Sequence, residues 1–336
     1  MSGRFLGLDT SNYTTSAAVF DGTEGINEGK LLEVASGALG LRQSDALFQH
    51  VKALPGLIHR LREQGCFADI RAVAASTRPS PVEGSYMPCF LAGEGQGRAM
   101  ADVLGVPFYA VSHQQGHLAA AAWSAGHLEL LDRPFLAWHL SGGTTELLRV
   151  EPEGQNVSIE KLGGTSDISA GQLIDRTGQK LHLDFPAGKA LDALAAQSDC
   201  ADVFKVKRTG LTFSLSGVEN QVQKRIEQGV NPADVARFAL NTVADIVRRT
   251  TEAAKEGQKG LPVLFSGGVA SNRILRQYMT GALFAEPRYS TDNAMGVAIL
   301  ARRLWEGEGL AGRCIPWARS TSTSRASWTG TRCWAA

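Results

Sequence analysis

The feature that most constrains this chain is an internal echo. Phe5-Leu6-Gly7-Leu8-Asp9 runs into Thr10-Ser11-Asn12-Tyr13-Thr14-Thr15, and Phe135 to Leu140 runs into Ser141-Gly142-Gly143-Thr144-Thr145. An offset of 130 residues lays Phe5-Leu6 on Phe135-Leu136, Ser11 on Ser141, and Thr14-Thr15 on Thr144-Thr145. Each copy reads as an apolar strand, a turn of small polar residues and a second strand. Recurrence of that kind suggests a duplicated domain, although two unrelated hairpins would give the same echo. At 336 residues the chain is long enough for two cores.

Between and after the copies, helical and strand patterns alternate, which argues for sheets with helices packed on them. Residues 46–64 carry a helical stripe at Leu47, Val51, Leu54, Leu57, Ile58 and Leu61, which Pro55 should kink or split. Strands are expected at Ile70 to Ala75 and Pro107 to Val111, a loop from Ser76 to Ser85, and a helix from Phe90 to Leu104. Beyond the second copy, helices are expected at Gln172 to Leu181 and Ala190 to Gln197. Asn231-Pro232-Ala233-Asp234 is a helix start with cap, proline and first-turn acid. Pro262 to Phe265 reads as a buried strand, and Ala294 to Trp305 as the last helix.

Charge nearly cancels, with 34 Lys plus Arg against 33 Asp plus Glu, so no global basic field recruits nucleic acid. An RNA partner would have to be held by a local patch or by another protein. Five cysteines without a CxxC suggest neither a disulfide framework nor a cysteine zinc site, and point to the reducing cytoplasm. No apolar run approaches membrane-spanning length, and no leader pattern precedes Phe5. Residues 313–336 hold three of the six tryptophans, no acid and one aliphatic larger than alanine, Ile315; a disordered tail is expected there.

Chemistry concentrates at Ser112-His113-Gln114-Gln115-Gly116-His117. On a helix capped by Ser112, His113 and His117 share a face one turn apart and can clamp a metal, or can be two histidines that merely share a half-buried face. The spacing is that of H-E-x-x-H, but Gln114 occupies the glutamate position and cannot take a proton from a metal-bound water. Three small-residue turns, at Thr10 to Thr14, Ser141 to Thr145 and Ser266 to Asn272, can offer consecutive backbone N–H groups to a phosphate, or can simply reverse the chain.

From about Phe5 to Arg303 the sequence resembles the TsaD/Gcp proteins, bacterial tRNA threonylcarbamoyladenosine synthases formerly called O-sialoglycoprotein endopeptidases. The resemblance is carried by Gly7-Leu8-Asp9-Thr10-Ser11, His113-x3-His117, Leu140-Ser141-Gly142-Gly143, Ala170-Gly171 through Asp175, Phe185-Pro186-x-Gly188, Phe213 to Gly217, Gly267-Gly268-Val269-x2-Asn272 and Thr291-Asp292-Asn293. It implies an α/β fold of two duplicated actin-like ATPase domains (ribonuclease H-like) with a cleft between them. The first would span 1–128 joined by the C-terminal helix 293–306, and the second 129–292. The resemblance also implies a divalent metal, iron or zinc, on His113, His117 and Asp292, with Asp292 serving alternatively as a helix cap. It places an adenine nucleotide, threonylcarbamoyl-AMP or ATP, on His139, Leu140, Ser141, Gly142, Gly143, Asp175, Gly188 and Asn272.

Three positions depart from the family. Asn12-Tyr13 stands in its acidic T-S-C-D-E-T turn, Thr144 replaces the histidine of its S-G-G-H-T, and residues 77–87 replace its G-P-G-L-V-G loop. The chain therefore reads as a divergent paralogue. The expected activity is metal-assisted transfer of a threonylcarbamoyl group from the adenylate to the exocyclic amine of an adenosine in tRNA. Helper subunits and a homo- or heterodimer are expected, and no membrane partner. The alternatives are a non-catalytic nucleotide- and metal-binding partner protein, and a metallopeptidase, against which Gln114 argues.

Overall fold

The protein is described from a computed structural model, for residues 3–11, 13–34, 41–258 and 260–308. Asn12 and the tail of residues 313–336 lie outside them.

The first half contains β1 (Arg4–Asp9), β2 (Thr14–Phe20), β3 (Gly25–Leu31), α1 (Gln43–Glu63), β4 (Ile70–Arg78), α2 (Phe90–Leu104), β5 (Phe108–Ser112) and α3 (His113–Ser124). The second contains β6 (Phe135–Leu140), β7 (Thr145–Glu153), β8 (Asn156–Thr165), α4 (Ala170–Lys180), α5 (Gly188–Ala195), β9 (Arg208–Thr209), β10 (Thr212–Phe213), α6 (Ser216–Glu227), α7 (Pro232–Glu256), β11 (Val263–Ser266), α8 (Arg273–Tyr278), β12 (Leu283–Phe284) and α9 (Met295–Gly307).

The echo is a structural repeat. The first sheet has the order β3-β2-β1-β4-β5, and the second contains β8-β7-β6-β11-β12 with β10 and β9 added outside β8. In both, the first three strands are antiparallel neighbours and the last two run parallel to the central strand. Register repeats too: Phe5 faces Phe20 in one hairpin and Phe135 faces Val150 in the other, so one offset of 130 relates both strands of each pair. A one-residue slip would turn every core side chain outward, which is why the apolar pattern preserves this register.

The core is arranged in layers. One face of the first sheet packs Leu6, Leu8, Val19 and Val73 under α1 and α2. The far face of the second sheet packs Trp138, Leu147 and Phe265 with α4 to α8. Between the sheets lie α3 and α9, in a cluster that takes Phe5 and Phe20 from one sheet and Phe135, Leu148 and Val150 from the other. Among the described residues no helix is long and apolar enough to cross a membrane.

Two local expectations change. Pro55 does not split α1: Ala46, His50, Leu54, Leu57 and Leu61 form one buried stripe across it while Pro55 is exposed, so packing carries the helix through the proline. The loop expected from Ser76 begins later, because β4 continues to Arg78 alongside β5. The strand β8 and the helix α6 were not anticipated.

Candidate metal centre and nucleotide cleft

The centre is built where α3 and α9 cross. Ser112 caps α3 reciprocally with Gln115: Ser112 Oγ accepts from Gln115 N at 3.2 Å, and Gln115 Oε1 accepts from Ser112 N at 2.9 Å. The remaining Gln115 amide donates to Val157 O at 2.8 Å, tying the start of α3 to β8. Past the cap, α3 is faced with Gly116 and alanines, and α9 meets it at Gly296. A Cβ on Gly296 would run into Gly116 O and lie 2.8 Å from Ala120 N. Gly7 lets α9 rest equally closely on β1, where a Cβ would strike Ala298 and Ala294. These bare contacts bring the start of α9 to the start of α3.

The result is a convergence of His113, His117 and Asp292, whose ligand atoms all lie within 4.8 Å of one another. His113 Nε2 and His117 Nε2 are 2.9 Å apart. Asp292 Oδ1 lies 3.3 Å from His117 Nε2 and 3.6 Å from His113 Nε2. Asp292 does not cap α9; Asn293 Oδ1 accepts from Met295 N at 3.1 Å instead, which leaves the Asp292 carboxylate to the histidines. Burial alone would raise the Asp292 carboxyl, but the hydrogen bond from His117 and the charge of the two rings lower it.

Behind the cluster stands Asp9, 1% exposed, whose Oδ2 is 2.8 Å from His113 Nδ1. Burial opposes the imidazolium of His113, yet the Asp9 carboxylate, by charge and hydrogen bond, pushes the ring up to about 9. Burial would likewise raise Asp9, but His113 and Ser11 hold it well below the usual carboxylate range. The facing Nε2 atoms of His113 and His117, 2.9 Å apart, can share only one proton between them. The donor set fits a divalent cation: two imidazole nitrogens and a carboxylate oxygen face one point, where a cation would replace the shared proton. Residue types alone fit iron(II) as well as zinc.

His139, the penultimate residue of β6, stands on the other side, its ring 5.2 Å from that of His117. Ser266 Oγ, which donates to Trp138 O at 3.2 Å, is 3.2 Å from His139 Nδ1. The serine proton being used, Nδ1–H is the donor. Burial, reinforced by His117 and His113, pushes His139 down to about 3 and keeps it neutral.

Beyond His139 and Leu140 the chain turns at Ser141-Gly142-Gly143. Ser141 closes the turn, with Ser141 N donating to Thr144 O at 2.8 Å and Thr144 N to Ser141 Oγ at 3.0 Å. The N-terminus of α4 braces it: Ser169 Oγ donates to Gly142 O at 2.6 Å, and Gly171 is so close that a Cβ would lie 2.5 Å from Gly142 Cα. The second Ser-Gly-Gly turn meets the first at Gly267, whose φ is +90° and whose Cβ would overlap Leu140 O. On their open side, a Cβ on Gly142, Gly143 or Gly268 would meet no atom within 4 Å. Backbone is thus exposed at both turns without side-chain cover.

The other anticipated nucleotide residues have local partners. Asp175 is half-buried rather than exposed, and its Oδ1 accepts from Ala187 N at 2.9 Å, fixing the turn before Gly188 at the start of α5. Asn272 caps α8 by accepting from Leu275 N at 3.0 Å and donates to Asp192 Oδ1 at 2.8 Å. Sequence reading assigned no side-chain role to Asp9, Ser169 or Ser266. The signal for Asp9 was available: an acid closing an otherwise apolar strand.

A protein-family model, "TsaD: tRNA N6-adenosine threonylcarbamoyltransferase", matches residues 40–299. The chain is 32% identical over 333 residues to the tRNA N6-adenosine threonylcarbamoyltransferase of Granulibacter bethesdensis, covering 88% of this chain and 87% of that protein. It is 34% identical over 313 residues to an enzyme of that name from Thermus thermophilus, covering 89% and 92%. Among solved structures, full-length HypF in its phosphate- and nucleotide-bound form superposes with a TM-score of 0.59 at 12% identity, over 93% of this chain and 57% of that one. Component A of the Acidaminococcus fermentans (R)-2-hydroxyglutaryl-CoA dehydratase does so with a TM-score of 0.51 at 14% identity, over 91% and 100%. These two structures speak for the fold alone, which is that of the actin-like ATPases.

Proposed function

The chain belongs to the TsaD family of tRNA N6-adenosine threonylcarbamoyltransferases, and from that premise we propose that it transfers a threonylcarbamoyl group from threonylcarbamoyl-AMP to the exocyclic amine of an adenosine in tRNA. The observation that carries the reading at this chain's own residues is the meeting of His113, His117 and Asp292 with the end of β6, one residue before the open Ser-Gly-Gly turn.

His113, His117 and Asp292 would hold one divalent metal, iron or zinc, which when bound supplies a Lewis acid for the acyl carbonyl. Gly142 and Gly143 put no side chain over the open side of the turn, so their backbone N–H groups would serve the phosphate of the AMP leaving group. Asp175 and Asn272 shape the pocket by fixing the starts of α5 and α8, with Gly188 at the first of these. Neutral His139 lines the space between metal and turn. The two repeated sheets support a division into residues 1–128, closed by 293–306, and residues 129–292, with ligands between. Near-neutral charge favours helper subunits in holding tRNA, in the cytoplasm.

The relatives' names favour transfer over a non-catalytic partner protein or a metallopeptidase, and Gln114 offers the latter no base. The test is mass spectrometry of tRNA nucleosides from cells in which only this protein can supply threonylcarbamoyladenosine. The modified nucleoside should be present with the wild type and absent with His117→Ala. Its absence with a folded, expressed wild type would overturn the transferase reading.

A further inference from the structure

We propose that Asp9 is a positioning residue for the metal centre. It holds the Nδ1–H of His113 and so presents Nε2 of that ring as the ligand facing His117 and Asp292. This inference rests on the metal reading above and concerns a residue outside the ligand set.

Asp9 reaches its position through three elements. The strand β1 ends in it, α3 begins with the histidine it touches, and α9, seated on Gly7 two residues earlier, delivers Asp292 to the opposite edge of the same ring. Its two oxygens do separate work: Oδ1 accepts from Ser11 N at 2.9 Å, and Oδ2 lies 2.8 Å from His113 Nδ1. An ionised carboxylate can only accept, so the ring nitrogen facing it must carry the proton. That assignment leaves Nε2 as the one nitrogen of His113 able to bind a metal, and Nε2 is the atom 2.9 Å from His117 Nε2. Asp9 is not one of the three converging groups; it sits behind the ring. A carboxylate behind a ligating imidazole fixes its tautomer and orientation and strengthens it as a donor, and removing such partners typically lowers metal affinity about 10–100-fold.

The test uses the full chain stripped of metal and titrated with cobalt(II), followed by visible absorbance and by competition with a chelator. Asp9→Ala should weaken binding about 10–100-fold. Asp9→Asn, whose amide oxygen can still accept from Nδ1–H, should recover part of that loss. In a His113→Gln background, Asp9→Ala should add almost nothing, because the two residues act as one unit. Equal losses in both backgrounds, or wild-type affinity in Asp9→Ala, would overturn the proposal. Should Asp9→Ala not fold, nitrogen-15 NMR of the zinc-loaded wild type decides: coordination of His113 through Nε2 with a proton on Nδ1 is expected, and coordination through Nδ1 would overturn it. A wild type that binds neither cobalt nor zinc would instead sink the metal reading itself.

Discussion

In the first half the central strand ends in Asp9, and the matching position of the second half, 130 residues on, is His139, one residue before the end of β6. Both face the same histidine pair, Asp9 against His113 and His139 beside His117. The parallel neighbour repeats as well. Ser266 pairs with His139 in the ladder, and the register of β1 with β4 carries Ser76 to the equivalent place beside Asp9. Ser266 Oγ is hydrogen-bonded to His139 Nδ1, whereas the buried Ser76 hydroxyl has no hydrogen-bond partner among the described residues. The turns that follow diverge further. Thr10 is tied to α2, its Oγ1 donating to Cys89 O at 3.0 Å and accepting from Gly93 N at 3.1 Å, while the Ser-Gly-Gly turn keeps its outer side open. A repeated backbone therefore fixes where strand ends point. Under the function proposed above, which residue stands there decides whether the end would orient a metal ligand or bare its backbone to a phosphate.

The largest effect should come from the seam that joins the halves. Gly296→Val would force a side chain into Gly116 O, and α3 and α9 cannot separate without opening the core shared by both sheets. We expect a loss of more than about 3 kcal/mol, read as a collapse of the thermal midpoint. A near-native midpoint would show that the halves tolerate a looser crossing.

A smaller and more local effect distinguishes the two turns. Gly143→Val places its Cβ in open space, so folding should be retained, while AMP binding by calorimetry should weaken at least about tenfold, or 1.4 kcal/mol. Unchanged affinity would make this turn a chain reversal only, and would erase the contrast with Thr10 to Thr14.

A pH-dependent effect lies on the outer face of the first sheet. His50 is fully buried, with Nδ1 2.8 Å from Thr15 Oγ1 and Nε2 unpartnered among the described residues, and burial pushes it down to about 4. Its unfolded value is about 6.5, so the unfolded chain takes up the proton first as pH falls. This contribution is constant above about pH 6.5, and stability is lost progressively down to about 4. Between pH 7 and pH 5, urea unfolding should show the wild type losing about 2 kcal/mol more than His50→Gln. Parallel pH profiles would mean that His50 is not held neutral.

Local chemistry was legible wherever partners lie within a turn or a strand of each other. The Ser112 cap, the shared face of His113 and His117, the Asn231 helix start and the hairpin register all follow from spacings of two to four residues, or from a pattern that repeats. That Asp292 belongs with the histidines came from family resemblance, because nothing near it in sequence marks it as more than a candidate cap. Asp9 touches a residue 104 positions away, and no periodicity connects them. Their meeting depends on Gly7 and Gly296 letting helix backbones approach where a Cβ would collide. Pro55 shows the same division: its ring predicts a break, but the stripe from Ala46 to Leu61 is buried on both sides of it. The sequence determined the repeat, the caps and the ligand types, because those energies are local. The tertiary structure decided which distant side chains share a site, because close packing sets the angstrom-scale distances that sequence separation does not encode.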